Sequence, residues 1–254
     1  ISIMVGETTL ASTAGAMLTM QAGDSVGATS TGGPVSITAG DSTNEGGLVK
    51  LQSGTSTGQS TGTILIATGD GSKSSGDLTI RTANAATTGR SGALTFSSGT
   101  TLIGDSGSLS IGSGLATQGT GGSISITVGD GNSGTGGSIT MTAGKTRGTG
   151  LDGGAVTITG GQGLQTGGAV TIGSGAGTTT SSGAMTITTA TSGKGITGAM
   201  IFSSGIADSG ASGDITVGSG QATNGAAGDI SIMVGETTLA STAGAMLTMQ
   251  AGDS

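Results

Sequence analysis

Several residue types on which folded domains and enzymes depend are missing from this chain of 254 residues. It has no cysteine, histidine, tryptophan or tyrosine, and its only aromatic residues are Phe96 and Phe202. Without cysteine there is no disulfide framework. Without histidine or cysteine, zinc sites and the familiar nucleophilic triads have no members. We therefore predict that the chain is not an enzyme and that it uses no metal and no cofactor.

Proline, positive charge and long apolar runs are also scarce. Pro34 is the single proline, which excludes a collagen helix despite the 57 glycines. Seven basic against fourteen acidic residues give a formal charge of −7, so no basic patch is available to neutralise the phosphates of a nucleic acid. No apolar run approaches the roughly 20 residues that cross a bilayer. These absences predict a chain with no nucleic-acid partner and no membrane span.

What the chain does have is a short alternating pattern, clearest in residues 137–144, Gly-Ser-Ile-Thr-Met-Thr-Ala-Gly. Ile139 and Met141 are separated by one residue, so in an extended chain both side chains point to one face and Thr140 points to the other. Such alternation is typical of a β-strand, and the bracketing glycines are expected to give the backbone its freedom to turn. We call each copy an apolar motif, with its first large apolar residue at position 0 and its second at position +2.

The apolar motif occurs seventeen times, at spacings of 14 to 17 residues. Glycine stands at position +5 in fifteen of the seventeen copies and at position −2 in fourteen of sixteen. A unit this small must stack on its neighbours to bury its apolar residues. We therefore predict an all-β fold, a parallel β-solenoid of seventeen coils of about 15 residues each, with a thin two-walled cross-section and glycine-rich turns. Position 0 is occupied by Ile1, Leu18, Val35, Val49, Ile64, Leu78, Leu94, Leu109, Ile124, Ile139, Val156, Val170, Met185, Met200, Ile215, Ile230 and Leu247.

A longer repeat encloses the short one. Residues 1–25 recur without a change as residues 230–254, an offset of 229. We predict one continuous solenoid over residues 1–254, in which residues 1–229 form one long period and residues 230–254 begin the next. The return path of each coil is expected to form a second, weaker strand on the opposite wall, with small residues at position +4. Its occasional apolar residues are Leu10, Val26, Leu102, Leu115, Leu164, Ile196 and Ile206.

Hydroxyl residues dominate the face opposite to positions 0 and +2. Serine or threonine stands at position +1 in fourteen of the seventeen motifs. Three Thr-x-Thr segments on this face resemble the ice-binding face of insect β-helical antifreeze proteins, and the resemblance implies a surface that binds ice. The alternative is that serine and threonine are good β-formers that only keep an exposed face soluble. The three segments are formed by Thr140 and Thr142, Thr157 and Thr159, and Thr186 and Thr188.

The same face also carries large apolar residues near the boundary of the long period. Exposed apolar clusters often mark contacts, so these residues are candidates for lateral contact between fibres. The alternatives are isolated surface residues or, for Met17, a bulge that turns the side chain inward. The candidates are Met4, Met17, Leu48, Leu65, Ile201, Met233 and Met246.

Asp214 and Asp229 occupy equivalent positions of successive motifs. In stacked coils their carboxylates would lie close together, which favours either a bound cation or two solvated side chains. The segment around Asp130 lacks the Gly-Gly-x-Gly-x-Asp pattern of calcium-binding β-rolls, so we predict no dedicated calcium site.

At the level of the fold, the coil periodicity resembles the solenoid shafts of filamentous adhesins and other repetitive surface proteins. The resemblance implies a structural filament, stalk or adhesin shaft that is extracellular or on the cell surface. Its partner would be itself, through end-to-end continuation of the array and lateral association. The alternative function is a surface-binding solenoid that uses its outward serine and threonine rows on ice, mineral or polysaccharide.

Overall fold

The structure, a computed structural model, describes residues 2–6, 14–86, 88–238 and 244–252. The chain consists of two units, Ile1–Ser125 and Ile126–Ser254. Within the described ranges there is no helix and no strand. Each unit instead alternates between apolar motifs without regular secondary structure and loops that contain bends or turns, such as residues 57–59 and 164–166.

The predicted all-β parallel β-solenoid is wrong. In a solenoid, hydrogen bonds join equivalent positions of successive coils, which here lie 14 to 17 residues apart. Across the described part of the chain, six of the seven backbone hydrogen bonds instead join residues that are 7 to 10 apart. The seventeen coils and the two-walled cross-section are therefore absent from these ranges, and Ile1, the first predicted position 0, lies outside them.

The physical reason lies in how each loop closes. Two large apolar side chains per motif give little burial to set against the entropy of ordering a whole coil. Closing a loop of six to nine residues costs much less chain entropy. The end of one motif therefore meets the beginning of the next, and the loop between them closes on itself instead of forming a return wall.

Six loops close in the same register. The glycine N–H at position −2 donates to the carbonyl at position +5 of the preceding motif. Three successive loops of each unit do so, with nine, six and seven residues between the bonded glycines. In the first unit the N–H to carbonyl pairs are Gly33–Gly23 at 2.9 Å, Gly47–Gly40 at 2.9 Å and Gly62–Gly54 at 3.1 Å; in the second they are Gly154–Gly144 at 2.9 Å, Gly168–Gly161 at 2.8 Å and Gly183–Gly175 at 2.9 Å.

The glycines at position −2 are needed for close approach rather than for turning. A Cβ on Gly47 would lie 3.1 Å from the Cβ of Ala39 and 3.2 Å from the backbone nitrogen of Gly40. Thirteen of the fourteen glycines at this position face the preceding motif at position +4 or +5 within 4 Å, Gly76 being the exception. Left-handed backbone occurs instead inside the loops, as at Gly104 with φ 98° and Gly150 with φ 75°. The expectation that the bracketing glycines supply the turns is therefore wrong at position −2.

The two faces differ in exposure at position 0 but not consistently at position +2, where side chains are 51 to 85% exposed. Side chains at position 0 are 45 to 59% exposed, whereas the seven lateral-contact candidates on the opposite face are 79 to 86% exposed. None of the described residues is buried. The predicted second strand is also wrong: Val26, Leu102, Leu115, Leu164, Ile196 and Ile206 are 96 to 108% exposed in the loops, because no opposite wall forms for them to pack against. Leu10 lies outside the described residues.

Candidate functional site

The least exposed residues of the described chain stand at two positions of the repeat. Nine described residues are partly shielded from solvent, and all the others are exposed. Every one of the nine stands at position +4 or +7. At position +4 they are Ala22, Ala39, Ser53, Thr82, Ala143 and Gly160, and at position +7 they are Ala116, Thr146 and Ser192. Position +4 therefore lies where the motif ends, at the base of the loop, and position +7 lies at the beginning of the loop.

Hydroxyl groups at position +7 start several loops. The Oγ of Ser56 accepts hydrogen bonds from the N–H of Gly58 at 3.4 Å and of Gln59 at 2.9 Å. The Oγ of Ser192 accepts the N–H of Gly195 at 2.9 Å. Bonds of this kind fold the backbone into a short turn around the side-chain oxygen. They set the direction in which the loop leaves the motif.

Other loops need glycine at position +7. A Cβ on Gly71, Gly163 or Gly177 would collide with a backbone carbonyl oxygen later in the same loop. Sequence reasoning missed the role of position +7, although the signal is present: all fifteen described residues at this position are glycine, alanine, serine or threonine. They are Ser25, Ser42, Ser56, Gly71, Ala85, Thr101, Ala116, Gly131, Thr146, Gly163, Gly177, Ser192, Ala207, Ala222 and Thr237.

The closed loops leave one feature of each motif facing solvent. We call the side chains at positions 0 and +2 the apolar row. Position 0 is about half exposed, and position +2 is 51 to 85% exposed in the described motifs. The whole chain has 25255 Å² of accessible surface, whereas a folded monomer of this mass has about 9,700 Å². The apolar row is therefore a repeated apolar surface that is available for burial against another molecule.

The predicted lateral-contact residues all lie at the surface. The unit Ile1–Ser125 contains Met4, Met17, Leu48 and Leu65, and the unit Ile126–Ser254 contains Ile201, Met233 and Met246. Met17 is 84% exposed, so it does not turn inward. The structure leaves all seven side chains open to a partner.

The predicted hydroxyl candidates are exposed as well. The six residues Thr140, Thr142, Thr157, Thr159, Thr186 and Thr188 all face solvent. Their hydroxyl groups are accessible to a ligand.

No enclosed site accompanies these surfaces. The described residues form no pocket, and they contain no group of three or more acidic side chains that could hold a metal ion. Asp214 and Asp229 are exposed. In these same ranges, none of the structure is a helix long and apolar enough to cross a membrane.

The chain was compared with known proteins at three levels. No protein-family model, no curated protein and no solved structure matches it. Its function is therefore inferred from its own surface and loops.

Proposed function

We propose that this chain is a tandem-repeat segment of an extracellular or cell-surface filament, stalk or adhesin shaft. Copies of the chain associate with one another, and their apolar rows are buried in the contact. The observation that carries the proposal is the half-exposed apolar row, present in every described motif from Leu18 to Leu247. A repeated apolar surface of this kind suits a repeated partner, and a second copy of the chain has the same spacing.

The amount of exposed surface supports association. The accessible surface of 25255 Å² exceeds that of a folded monomer by more than about 15,000 Å². A stable interface needs only about 800 Å² from each partner. Exposed apolar patches above a few hundred Å² are uncommon in proteins that remain monomeric, so burial between copies is strongly favoured by the hydrophobic effect.

The backbone offers a second means of association. Seven backbone hydrogen bonds join described residues, whereas a folded domain makes about one hydrogen bond per residue. The N–H and C=O groups of each apolar motif are thus available for pairing with another chain, as at the edge of a sheet. Main-chain pairing fixes the register, and the apolar row supplies the burial.

The first test is the state of the chain in solution. Analytical ultracentrifugation over a hundredfold range of concentration, followed by electron microscopy of the largest species, should show assemblies that grow with concentration and become filaments. A monomer at every concentration contradicts the proposal. Discrete globular oligomers would contradict the filament but not self-association.

A matched pair of variants tests which surface is used. Ile64→Ser with Ile66→Ser removes one apolar row, while Leu102→Ser with Leu164→Ser removes two apolar side chains from exposed loops. The first variant should raise the concentration at which association begins by at least about tenfold, because complete burial of a large apolar side chain contributes roughly 1.5 to 3 kcal/mol and the two side chains are already about half shielded. The second should leave it unchanged, and equal effects would exclude the apolar row as the contact.

Lateral contact is tested separately. Leu48→Ser with Leu65→Ser should prevent filaments from bundling while single filaments persist, because both residues lie on the face opposite to the apolar row and are 84 and 85% exposed. Bundles of unchanged thickness would show that Leu48 and Leu65 are not lateral contacts.

A second candidate function is favoured by the exposure of the six threonines in the Thr-x-Thr segments. These hydroxyl groups are available to ice, mineral or polysaccharide. Thermal hysteresis and inhibition of ice recrystallisation by the full chain would support ice binding if Thr157→Lys with Thr159→Lys reduced both. An inactive chain would exclude ice as the ligand.

A further inference from the structure

Methionine is concentrated in the duplicated part of the chain. We call residues 1–25 and 230–254 the twin segments. They contain six of the nine methionines of the chain, namely Met4, Met17, Met20, Met233, Met246 and Met249. Charge is sparse there, because each twin segment has one aspartate, one glutamate and no basic residue. The twin segments are therefore rich in thioether side chains within weakly charged surroundings.

Four of the twin methionines, all on the face opposite to the apolar row, are highly accessible. Met4 and Met233 are both 86% exposed, and Met17 and Met246 are 84% and 83% exposed. These two pairs are exposed to the same extent in both copies, whereas the third pair differs, with Met20 at 68% and Met249 at 85%. By contrast, Met185 and Met200 stand at position 0 of their motifs and are 51% and 45% exposed.

We propose that Met4, Met17, Met233 and Met246 of the twin segments are a site of methionine oxidation that controls the lateral association of filaments of this chain, with a hydroperoxide as the oxidant. The inference rests on the proposed self-association. In the reaction, the thioether sulfur attacks the terminal oxygen of the hydroperoxide. An S–O bond forms, the O–O bond breaks, and the hydroperoxide is reduced to an alcohol, or to water when it is hydrogen peroxide. The sulfur is oxidised by two electrons to a sulfoxide.

Oxidation alters the surface where lateral contacts are expected. In the first unit, Met4 and Met17 lie on the same face of their motifs as Leu48 and Leu65 do, and in the second unit Met233 and Met246 stand at the equivalent positions of their motifs. The sulfoxide is polar, whereas the thioether is apolar and adapts well to irregular partners. Four sulfoxides would therefore give this face a polar surface at both twin segments, and they would weaken its contact with a second copy. The sulfoxide is reducible by methionine sulfoxide reductases, so the change is reversible.

The first experiment measures which methionines react. The full chain is treated with hydrogen peroxide, digested and analysed by mass spectrometry for the gain of one oxygen atom per methionine. The four methionines of this face should react at least about twice as fast as Met200, in line with their exposure. Equal rates, or faster reaction at Met200, would overturn the proposal.

The second experiment measures the bundling of filaments before and after oxidation. Oxidation should raise the concentration at which filaments bundle by about tenfold, through the loss of apolar contacts on the lateral face. A variant in which Met4, Met17, Met233 and Met246 are replaced by leucine should bundle normally, and its bundling should resist peroxide. The matched control, Met185→Leu with Met200→Leu, should remain sensitive.

The outcomes separate this inference from the proposed function. If the untreated chain does not associate, both fail. If untreated filaments form but do not bundle, or if oxidised filaments bundle equally well, the filament proposal stands and only the oxidation control is overturned. The oxidation control alone is also overturned if the leucine variant is as sensitive to peroxide as the original chain.

Discussion

At the scale of single residues, the side chain at position +7 has little room where the loop turns back over it, as at Gly71, Gly163 and Gly177. The backbone of the loop passes directly over this position, so only small side chains fit or, as with Ser56, a hydroxyl that bonds to the loop. Gly163 is the clearest case, because a Cβ there would collide with the carbonyl oxygen of Thr166.

The first prediction follows from that collision. Gly163→Ala should open the loop and weaken the hydrogen bond from Gly168 N–H to the Gly161 carbonyl, now 2.8 Å, at a cost of about 0.5 to 1.5 kcal/mol. The temperature coefficient of the Gly168 amide shift, measured by NMR, should become that of a solvated amide. Gly161→Ala is the control, since its Cβ would meet nothing within 4 Å. An unchanged Gly168 amide in the first variant would contradict the close approach.

A second prediction concerns the hydroxyl of Ser56. Ser56→Ala removes the acceptor of the Gly58 and Gln59 amides, and these amides should exchange with solvent several-fold faster at the same pH. The loss is worth about 0.5 to 1.5 kcal/mol. Ser60→Ala in the same loop is the control. Equal exchange rates in the two variants would show that the hydroxyl does not hold the turn.

At the scale of elements, the loop and the apolar motif respond differently to changes in length. Loops with nine, six and seven residues between the bonded glycines close by the same hydrogen bond, so the closure tolerates loop length. The motif does not, because its two faces alternate at every residue. One added residue in a motif moves every following side chain to the opposite face.

The third prediction compares two insertions. A serine inserted after Glu45, in a loop, should leave association unchanged, because the extra closure entropy is a few tenths of a kcal/mol. A serine inserted between Val35 and Ser36 should raise the concentration for association by about tenfold, because it moves Ile37 to the face opposite to Val35 and leaves a serine residue at position +2. Sedimentation of both variants and of the original chain measures the concentration at which each one associates. Equal tolerance of the two insertions would mean that the row is not the contact.

The sequence predicts the local motif but not how successive motifs contact one another. The spacing of residues such as Ile139 and Met141 predicts the motif, and position 0 is less exposed than the candidates of the opposite face, although position +2 overlaps them in exposure. The same spacing could not tell whether equivalent positions stack or whether neighbouring ends meet. That choice depends on contacts such as Gly47 with Ala39, which appear in a sequence only as two small residues.

The candidate surfaces were predictable to a similar extent. Alternation was enough to place Met17 and Leu48 on the outward face, since this needs only the local backbone. Whether candidates from different motifs form one patch is a matter of long-range arrangement, which a local period does not contain. The role of position +7 was missed because glycine, alanine, serine and threonine are common throughout this chain.

At the scale of the whole molecule, charge opposes the association that apolar burial favours. The formal charge is −7 and the sequence isoelectric point is about 4.2. Copies of the chain therefore repel one another at neutral pH, and this repulsion is screened by salt.

The fourth prediction is that association strengthens with ionic strength and with acidification. Raising the salt concentration from about 0.01 to 0.15 M shortens the screening length from about 30 to 8 Å and should lower the concentration at which assemblies appear. Lowering the pH from 7 toward 4.2 should do the same, because protonation of carboxylates brings the net charge toward zero. Light scattering follows both changes, and assemblies that dissolve in salt would indicate ion pairing instead of apolar contact.

Local loop closure also affects how the length of this protein can change in evolution. Because each described closing bond spans at most ten residues, a motif and its loop make few demands on distant parts of the chain. The identical copies at residues 1–25 and 230–254 are natural points for unequal recombination between tandem gene segments. Such an exchange adds or removes 229 residues at a time and leaves every remaining loop able to close. Length in such a protein is free to vary between generations while the local structure stays the same.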